Sequence, residues 1–413
     1  LGLTIDHHIL LKKNKFISDI SLEQLVFASL IKYQKYLDPR NKKICQFEDI
    51  IQYLNKKRRL SNLIPDNCYA INLSPWKARQ INKFLLEAGK KKVSFIKINK
   101  KIFKNILVWG KSDSHSKLIS KVDNFITVED GFIRSTGLGG NLYPPFSLLF
   151  DKKGIHYDYK RGNDLEDILQ NRSISQLELR RSRKLINFIR KNKISKYNLK
   201  TKKRYYFNEI SDKERILVLG QVETDNSILY GVPTRKIERT NFSLISKVKK
   251  DYPSAHIIYK PHPDLEAKIR ASGEKDYFIK NLVHCVAYNT SLADLFHQVD
   301  KVVVYTSLGG FEALINGIPV VTYGFPFYAG WGLTEDKYFS KIISKRRTRK
   351  LTLEELVFIS LIEYPYYYSL KYKSLTEIEN VLDELNLQRN NRMNLEQIIF
   401  RYWGLLKDLI KIN

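Results

Sequence analysis

Several signatures of familiar protein classes are missing from this sequence of 413 residues. Its three cysteines, Cys45, Cys68 and Cys285, are far apart and form no CxxC pair, which argues against a disulfide framework and a thiolate zinc site. No apolar run approaches the roughly 20 residues that a membrane-spanning helix needs, and the first residues lack the charged-then-apolar order of a signal peptide. The sequence therefore predicts a globular, cytoplasmic protein.

Motifs of nucleotide-hydrolysing and metal-dependent enzymes are missing as well. There is no Walker A motif and no GxGxxG after a first strand, which argues against an ATPase and a standard dinucleotide oxidoreductase. No Asp-x-Asp pair is present, so we expect neither a metal ion nor another cofactor.

Acidic residues are few relative to basic ones. The chain has 43 Asp and Glu against 71 Lys and Arg, a formal net charge of +28. Such an excess favours an anionic partner, whether a nucleotide, an acidic sugar, a phospholipid surface or nucleic acid. No helix-turn-helix, zinc-finger or RNA-binding signature accompanies the basic residues, so nucleic-acid binding is a minor alternative.

A segment near the start of the chain recurs near its end. SLEQLVFASLIKY at 21–33 matches TLEELVFISLIEY at 352–364, and each predicts an amphipathic helix that begins with a capping box. The similarity extends back to LGLT at 1–4 and WGLT at 331–334. A repeat spaced by about 330 residues indicates duplication of a whole module. We therefore expect residues 1–60 to be the helical tail of a preceding module.

Between these tails, strand-like and helix-like patterns alternate. Short apolar runs predict strands at 93–98, 106–110, 216–220, 256–260 and 302–305, with a further strand ending at Glu129-Asp130. This alternation predicts an α/β fold with parallel sheets, flanking helices, and ligands at the carboxyl ends of the strands. The predicted domains are 61–165 as an N-terminal α/β domain, 166–205 as a helical linker, 206–335 as a C-terminal α/β domain and 336–413 as a helical tail.

The segment VVVYTSLGGFE indicates a nucleotide site. A buried strand leads into the hydroxyls of Thr306 and Ser307 and the backbone N–H groups of Gly309 and Gly310, where a helix begins. The positive end of the helix dipole favours a phosphate there. Glu312 is then suited to accept hydrogen bonds from ribose hydroxyls, and a plain acid at a helix start is the alternative.

Two further loops contain carboxylates. In VEDGFIRS, Glu129 and Asp130 point to opposite faces of a strand, so only one need enter a cleft, and Arg134 can pair with either acid or bind a substrate carboxylate. In GQVETD, Asp225 is either a helix N-cap or a carboxylate that reaches an anomeric centre.

The loop YKPHPD combines cations with a rigid backbone. Lys260 and His262 lie among two prolines, Pro261 and Pro263, which fix the backbone. Such a loop suits a phosphodiester leaving group, with His262 bonding or protonating the phosphate; a surface turn is the alternative.

Together, EDGFIRS, QVETD, YKPHPD, TSLGGFEAL and PFYAGWGLT resemble, in this order, the bacterial capsular-polysaccharide β-Kdo transferases of the KpsC type. The match covers nearly the whole chain. Members of this family contain two glycosyltransferase modules in tandem, each with a helical tail, so the resemblance implies that this chain is the second module preceded by the tail of the first. It also implies a GT-B-like fold, in which two Rossmann-type domains face a cleft, with helical N- and C-terminal extensions.

The resemblance further implies a retaining transfer of Kdo from CMP-β-Kdo to a Kdo-extended lyso-phosphatidylglycerol glycolipid during capsule linker synthesis. The expected product is a β-(2→7) linkage formed by double displacement, with the acceptor on the N-terminal domain and the donor on the C-terminal domain. The expected location is peripheral, at the inner face of the bacterial inner membrane, where the membrane surface and the preceding module are partners.

On this sequence, the resemblance makes Asp225 the nucleophile, Glu129 or Asp130 the acid/base, and His262 with Ser307 the contacts of the CMP phosphate. Glu312 takes the ribose hydroxyls, and Arg134 with Ser135 binds the substrate carboxylate or the acceptor. The other expected donor-binding residues are Gln221, Glu223, Lys260, Pro263, Thr306, Gly309 and Gly310.

Other interpretations stay open at this point. The chain could be another GT-B enzyme that uses a different CMP-sugar, such as a sialyltransferase-like enzyme, or a non-catalytic basic protein that binds phospholipid or nucleic acid. The apolar and aromatic residues of 394–412 have helical spacing, which suits either an interfacial membrane helix or packing against the chain's own module.

Overall fold

Two β-sheets, each flanked by helices, form the centre of the molecule. The computed structural model describes residues 20–71, 73–96, 104–111, 122, 124–139, 142–198, 212–233 and 238–390. The sequence repeat at 1–4 and the predicted helix at 394–412 lie outside the described residues. The helices are Leu22–Val26, Phe47–Leu63, Pro75–Glu87, Asp164–Asn171, Gln176–Asn192, Asn226–Gly231, Asn241–Asp251, Pro263–Glu266, Leu292–Phe296, Leu308–Ile315, Lys341–Arg346, Leu353–Val357 and Ile378–Asn390, with π-helical turns at Phe27–Lys32 and Phe358–Glu363 and a 3₁₀ turn at Asp276–Asn281.

The first sheet belongs to the N-terminal α/β domain, hereafter the first domain. Its four strands nearest one edge are parallel, and the strand that follows them in the chain turns back antiparallel. Their apolar residues, such as Ile106 to Val108, are completely buried because helices cover the sheet. In order across the sheet the strands are Ser374–Thr376, Tyr366–Ser369, Ser147–Asp151, Asn124–Asp130, Asn105–Trp109, Tyr69–Ile71 and Ser94–Ile96.

The second sheet belongs to the C-terminal α/β domain, hereafter the second domain. Its six strands are all parallel and, numbered along the chain, lie in the order 3-2-1-4-5-6 of dinucleotide-binding folds. Across the sheet they are Cys285–Val286, His256–Lys260, Arg215–Leu219, Lys301–Val304, Val320–Thr322 and Glu335–Asp336. In this order the direction of winding reverses between Arg215–Leu219 and Lys301–Val304, and ligands bind at such a reversal.

The sequence predicted a helical tail over 336–413, and the structure differs because this segment also contains two strands. Its strands Tyr366–Ser369 and Ser374–Thr376 extend the first sheet, where Tyr366 lies opposite Leu148 in antiparallel register. Pro365 cannot continue the preceding π-helical turn, and the three consecutive tyrosines after it favour a strand. These two strands, from the far end of the described residues, therefore extend the sheet of the first domain.

The sequence repeat is also a structural repeat. Both copies begin with a capping box, at Ser21 and Thr352, and both pass from an α-helix into a π-helical turn. A short strand, Tyr36–Leu37, follows the first turn, as Tyr366–Ser369 follows the second. In both, a tyrosine in that strand donates a hydrogen bond to a carbonyl in the turn: Tyr36 to Leu30 at 2.8 Å and Tyr367 to Leu361 at 2.7 Å. The copies differ in burial, because Phe358 is 5% exposed and its counterpart Phe27 is 51% exposed.

One continuous apolar cluster connects the two domains. It contains buried residues from the second sheet, from the linker helix Gln176–Asn192 and from the tail turn Phe358–Glu363, together with Phe132 and Phe146 of the first domain. The linker and tail thus fix the first sheet relative to the second. Within the described residues, no helix is both long and apolar enough to cross a membrane.

Candidate active site

A cleft of about 1550 Å³ lies between the two domains, where strands of both sheets end. Loops that follow Asn124–Asp130, Arg215–Leu219, His256–Lys260 and Lys301–Val304 all reach it. The residues predicted from sequence that line it are Glu129, Asp130, Gln221, Asp225, Lys260, His262, Pro263, Thr306, Ser307, Gly309 and Glu312. The structure thus brings together four loops that are far apart in the chain.

The first wall contains the adjacent carboxylates Glu129 and Asp130. Glu129 Oε1 accepts a hydrogen bond from the backbone N–H of Asp130 at 3.1 Å, and Oε2 lies 3.5 Å from the hydroxyl of Tyr157. Burial, together with the nearby negative charge of Asp130, raises the pKa of Glu129 to about 7. A carboxyl group with that pKa can accept or donate a proton near neutral pH, which suits general acid/base catalysis.

Asp130 is held differently from its neighbour. Its Oδ2 accepts a charge-assisted hydrogen bond from Arg134 Nε at 2.7 Å. Its Oδ1 is buried and has no hydrogen-bond partner among the described residues. Arg134 therefore fixes this carboxylate on the wall of the cleft, and one of its oxygens makes no hydrogen bond to a described residue.

The second wall contains Asp225, which caps a helix. Its Oδ1 accepts from the backbone N–H of Ser227 at 2.8 Å, at the start of Asn226–Gly231. The residue is exposed, so it is both the N-cap that the sequence allowed and a carboxylate that faces the cleft.

His262 also caps a helix on the second wall. Its Nδ1 accepts from the backbone N–H of Asp264 at 3.1 Å, so the ring proton resides on Nε2. Burial lowers the pKa of His262, which keeps the ring neutral. A neutral ring with Nε2–H can donate a hydrogen bond to a phosphate oxygen.

Lys260 is less available to a phosphate than the sequence suggested. Its ammonium is buried and lies 2.6 Å from Glu266 Oε1, and the two side chains form an ion pair beside the cleft. Burial lowers the pKa of Lys260, and Glu266 partly opposes that change.

The second domain forms the floor of the cleft at the point where its strand order reverses. Gln221 Oε1 accepts from the backbone N–H of Thr306 at 2.9 Å, and Gln221 Nε2 donates to the Thr306 hydroxyl at 3.2 Å. Ser307 caps the helix Leu308–Ile315, with its hydroxyl 3.2 Å from the N–H of Gly309. These contacts present hydroxyls at a helix N-terminus, the arrangement expected for a phosphate.

The two glycines at this helix start are needed for packing. A Cβ on Gly309 would lie 2.5 Å from Leu219, and one on Gly310 would lie 2.2 Å from the hydroxyl of Tyr328. The helix can approach the sheet this closely only without side chains at these positions. Gly309 lines the cleft, whereas Gly310 does not.

Glu312 lines the cleft and also bridges to the linker. Its Oε1 accepts from the backbone N–H of Lys196 at 2.8 Å. Burial raises the pKa of Glu312 to about 7, although the N–H and the charge of Lys196 oppose the rise.

Three other predicted residues do not line the cleft. Glu223 accepts from the backbone N–H of Asn241 at 2.7 Å on the far side of its loop. Arg134 is only 2% exposed and donates to Asp130, to the Ser135 hydroxyl at 2.9 Å and to the Tyr143 carbonyl at 3.1 Å. Ser135 is itself buried and donates to the Gly137 carbonyl at 2.6 Å. In this structure Arg134 and Ser135 support Asp130 and the loop behind it.

Sequence reasoning missed several residues of the cleft. Lys196 and Asn198 come from the segment read as a linker, His156 follows the first sheet, and Lys77 lies on the helix Pro75–Glu87. None of them belongs to a loop after a predicted strand, so the pattern used to find the other residues could not reveal them. A lysine in a Lys- and Asn-rich stretch gives no local signal of its position in the fold.

Comparison with known proteins identifies the family. The family model for "Capsule polysaccharide biosynthesis protein" matches residues 104–367. The chain belongs to the capsule polysaccharide biosynthesis family. Among curated members, "Capsule polysaccharide modification protein LipA" of Neisseria meningitidis serogroup A is 34% identical over 404 residues, which cover 95% of this chain and 56% of LipA. "Lipopolysaccharide-processing protein LpsZ" of Rhizobium meliloti is 33% identical over 329 residues, 76% of this chain and 73% of LpsZ.

This member of the capsule family spans little more than half the length of LipA. Two solved structures from Thermosulfurimonas dismutans KpsC resemble it across 78% of its residues. The β-Kdo 2,4 transferase aligns with a TM-score of 0.67, 27% identity and 99% of its own chain covered. The β-Kdo 2,7 transferase aligns with a TM-score of 0.63, 34% identity and 100% covered. The two facing Rossmann-type domains are therefore GT-B-like, as the sequence predicted.

Proposed function

We propose that this chain is a glycosyltransferase that moves Kdo from CMP-Kdo to an anionic glycolipid in capsule polysaccharide synthesis. The main support is the placement of Glu129 and Asp130 across one cleft from Asp225, His262 and Ser307. Carboxylates on one wall and a phosphate-binding helix start on the other are what sugar transfer from a nucleotide requires. The similarity to two solved β-Kdo transferases favours Kdo as the sugar.

The donor phosphate is proposed to bind at Ser307 and His262 without a metal ion. The helix start at Ser307 offers backbone N–H groups, and His262 Nε2–H offers a further donor. We expect Glu312 to accept hydrogen bonds from the ribose hydroxyls. The formal charge of +28 attracts a donor with a phosphodiester and a carboxylate, and an acceptor attached to an anionic membrane surface.

The acceptor and the linkage are also proposals. We propose a Kdo-extended lyso-phosphatidylglycerol as acceptor and a β-(2→7) linkage, because the chain is 34% identical to the 2,7 transferase and 27% identical to the 2,4 transferase. The TM-scores rank the two in the opposite order, and we weigh side-chain identity more heavily, since linkage depends on residues that contact the acceptor.

The reaction is proposed to retain the anomeric configuration through two displacements. In the first, a carboxylate attacks the anomeric carbon of Kdo and CMP leaves with the bonding electrons. In the second, an acceptor hydroxyl attacks that carbon, loses its proton to a general base, and releases the carboxylate. Glu129, whose pKa is about 7, suits the general base.

For the nucleophile, the geometry favours Asp130 over the sequence-based choice of Asp225. Arg134 fixes the Asp130 carboxylate by a hydrogen bond to Oδ2, and Oδ1 has no partner among the described residues. Asp225 Oδ1 already caps a helix, and its side chain is exposed to water. We therefore propose Asp130 as the nucleophile and treat Asp225 as the alternative.

A trapped intermediate distinguishes these two aspartates. Glu129→Gln slows the second displacement, so incubation with CMP-Kdo should give a protein adduct of Kdo mass by intact-mass spectrometry. The double variant Glu129→Gln/Asp130→Asn should give no adduct, whereas Glu129→Gln/Asp225→Asn should keep it. The reverse result would assign the nucleophile to Asp225.

Donor choice tests the function itself. The wild-type chain should release CMP from CMP-Kdo in the presence of acceptor and should not transfer sialic acid from CMP-sialic acid. Transfer from CMP-sialic acid alone would make the chain a different CMP-sugar transferase. Absence of transfer from both donors, with nucleic acid or phospholipid binding unchanged by Asp130→Asn, would favour a non-catalytic basic protein.

A further inference from the structure

The backbone of Lys196 is fixed to both walls of the cleft. Its N–H donates to Glu312 Oε1 of the second domain at 2.8 Å. Its carbonyl accepts from the N–H groups of Arg134, at 2.9 Å, and Ser135, at 3.2 Å, in the first domain. Three hydrogen bonds therefore place the Lys196 side chain between the domains, beside the loop that supports Asp130.

The ammonium of Lys196 lacks the kind of ion pair that Lys260 and Lys193 form at the cleft. Lys260 is paired with Glu266 and Lys193 with Asp294. In the described part of the chain, no carboxylate oxygen lies within 4 Å of Lys196 Nζ, which instead lies 5.3 Å from the ring centre of Tyr197. Burial on its own lowers the pKa of Lys196, but Tyr197 and the carboxylates of the cleft outweigh it and raise the pKa. The ammonium therefore lies near the carboxylates of the cleft without forming an ion pair with any described carboxylate.

The imidazole of His156, in the same cleft as Lys196, has a polar atom without a hydrogen-bond partner in the described part of the chain. Its Nδ1 is buried without a hydrogen-bond partner among the described residues, and its ring lies against Phe132 and Phe327 on the wall of the cleft. Burial lowers the pKa of His156 to about 3, and the charge of Lys196 contributes. The ring is therefore neutral, and it donates one hydrogen bond when Nδ1 carries the proton.

On the basis of the proposed function, we propose that Lys196 Nζ and His156 Nδ1 bind the carboxylate of the transferred sugar. In a sugar acid such as Kdo, the carboxylate is bonded directly to the anomeric carbon. A nucleophile about 3 Å from that carbon therefore has the carboxylate as a close neighbour. A cation that binds the carboxylate must lie beside the catalytic carboxylates, and Lys196 occupies that place. The subsite selects sugars that have an acid group on the reacting carbon over neutral sugars.

Steady-state kinetics with two ligands test this subsite. For Lys196→Met we expect the KM for CMP-Kdo to rise about 10- to 100-fold, the usual effect of losing a hydrogen bond to a charged group. The inhibition constant of CMP should not change, because CMP has no sugar carboxylate. Lys196→Arg should recover part of the lost affinity, and His156→Phe should raise KM as well. Lys191→Met is the matched control, since Lys191 is exposed and lies outside the cleft.

The outcomes separate this subsite from the proposed function. If the wild type transfers Kdo and the KM of Lys196→Met is unchanged, the subsite is wrong. If CMP inhibition weakens as much as KM rises, Lys196 binds the nucleotide phosphate and the inference also fails. If the wild type does not transfer Kdo at all, the proposed function has failed. Circular dichroism and thermal unfolding of each variant show whether a loss of activity reflects a loss of fold.

Discussion

At the scale of single residues, Glu129 shows how a buried carboxyl group in the cleft reduces stability. The cleft surrounds its carboxyl with Tyr157 and Asp130, and burial raises its pKa to about 7 from an ordinary value of 4.5. In the unfolded chain the same group loses its proton at a lower pH. Between these two values the folded state holds more protons than the unfolded state, so stability falls as pH rises from about 4.5 to 7.

We therefore expect Glu129→Gln to stabilise the protein at high pH. A glutamine keeps an oxygen for the Asp130 N–H and has no charge to bury, so at pH 8 the variant should be up to about 3 kcal/mol more stable than the wild type. Below about pH 4.5 the carboxyl is protonated in both states and the difference should disappear. Urea unfolding at pH 8 and pH 4 measures both values, and an equal difference at the two pH values would contradict this account.

The residues of the cleft that were predicted from sequence share one property: they follow strands. Asp130 ends a strand, Gln221, His262 and Ser307 lie in loops that follow strands, and a parallel sheet gathers the carboxyl ends of its strands at one edge. Lys196 has no such local relation to a strand. Its place in the cleft depends on hydrogen bonds to residues 134, 135 and 312, which no sequence pattern reveals.

At the scale of elements, the repeated helix and π-helical turn at 21–33 and 352–364 show nearly the same sequence in two environments. Leu22, Val26 and Phe27 in the first copy are exposed. Their counterparts in the second copy pack against the cluster that connects the two domains. Capping boxes and apolar spacing predict the helix in both copies, because these signals are local. Burial depends on which module lies beside the helix.

The matched phenylalanines provide a test of this difference. Phe358→Ala should cost about 3–5 kcal/mol of unfolding free energy, because it removes a buried aromatic ring from a packed cluster. Phe27→Ala should cost less than about 1 kcal/mol, since its ring is half exposed. Chemical denaturation of both variants measures the two losses. Similar losses would mean that the first copy is also packed against a core.

The strands show where element prediction succeeded and failed. The strand His256–Lys260 was predicted with its observed bounds, and the strand at 302–305 is shifted by one residue to Lys301–Val304. Both are short runs rich in β-branched residues between polar loops, and this pattern is a local signal that the sequence shows directly. Tyr366–Ser369 was missed because it pairs with Ser147–Asp151, more than 200 residues earlier in the chain, and YPYYYS follows a helical turn that suggested a continuing helical tail.

At the scale of the whole molecule, the first copy forms an apolar surface that is exposed within the described part of the chain. The second copy of the same unit covers the core of its own module, so the first copy suits the equivalent core of a homologous module. The chain spans 56% of the length of LipA, which leaves room in such relatives for a second module.

In the isolated chain, this surface should promote self-association. We expect concentration-dependent association in sedimentation experiments, because contiguous exposed apolar groups bind one another in water. Replacing Leu22, Val26 and Phe27 with serine should reduce the association without loss of the fold, since the three side chains are exposed. Replacing Leu86, an exposed leucine elsewhere, with serine is the control. Unchanged association of the triple variant would mean that another surface is responsible.

The antiparallel pairing of Tyr366–Ser369 with Ser147–Asp151 also dictates the order of events during synthesis. A ribosome releases the first domain's parallel strands early, but their sheet has an open edge until the last strands emerge. Contacts so distant in the chain form slowly, and an unpaired edge attracts other chains in the meantime. The second domain, whose six strands lie between residues 215 and 336, can fold before the first domain is complete. The side of the cleft formed by the second domain is thus ready first, and the sheet that carries Glu129 and Asp130 is completed only after residue 369 has been translated.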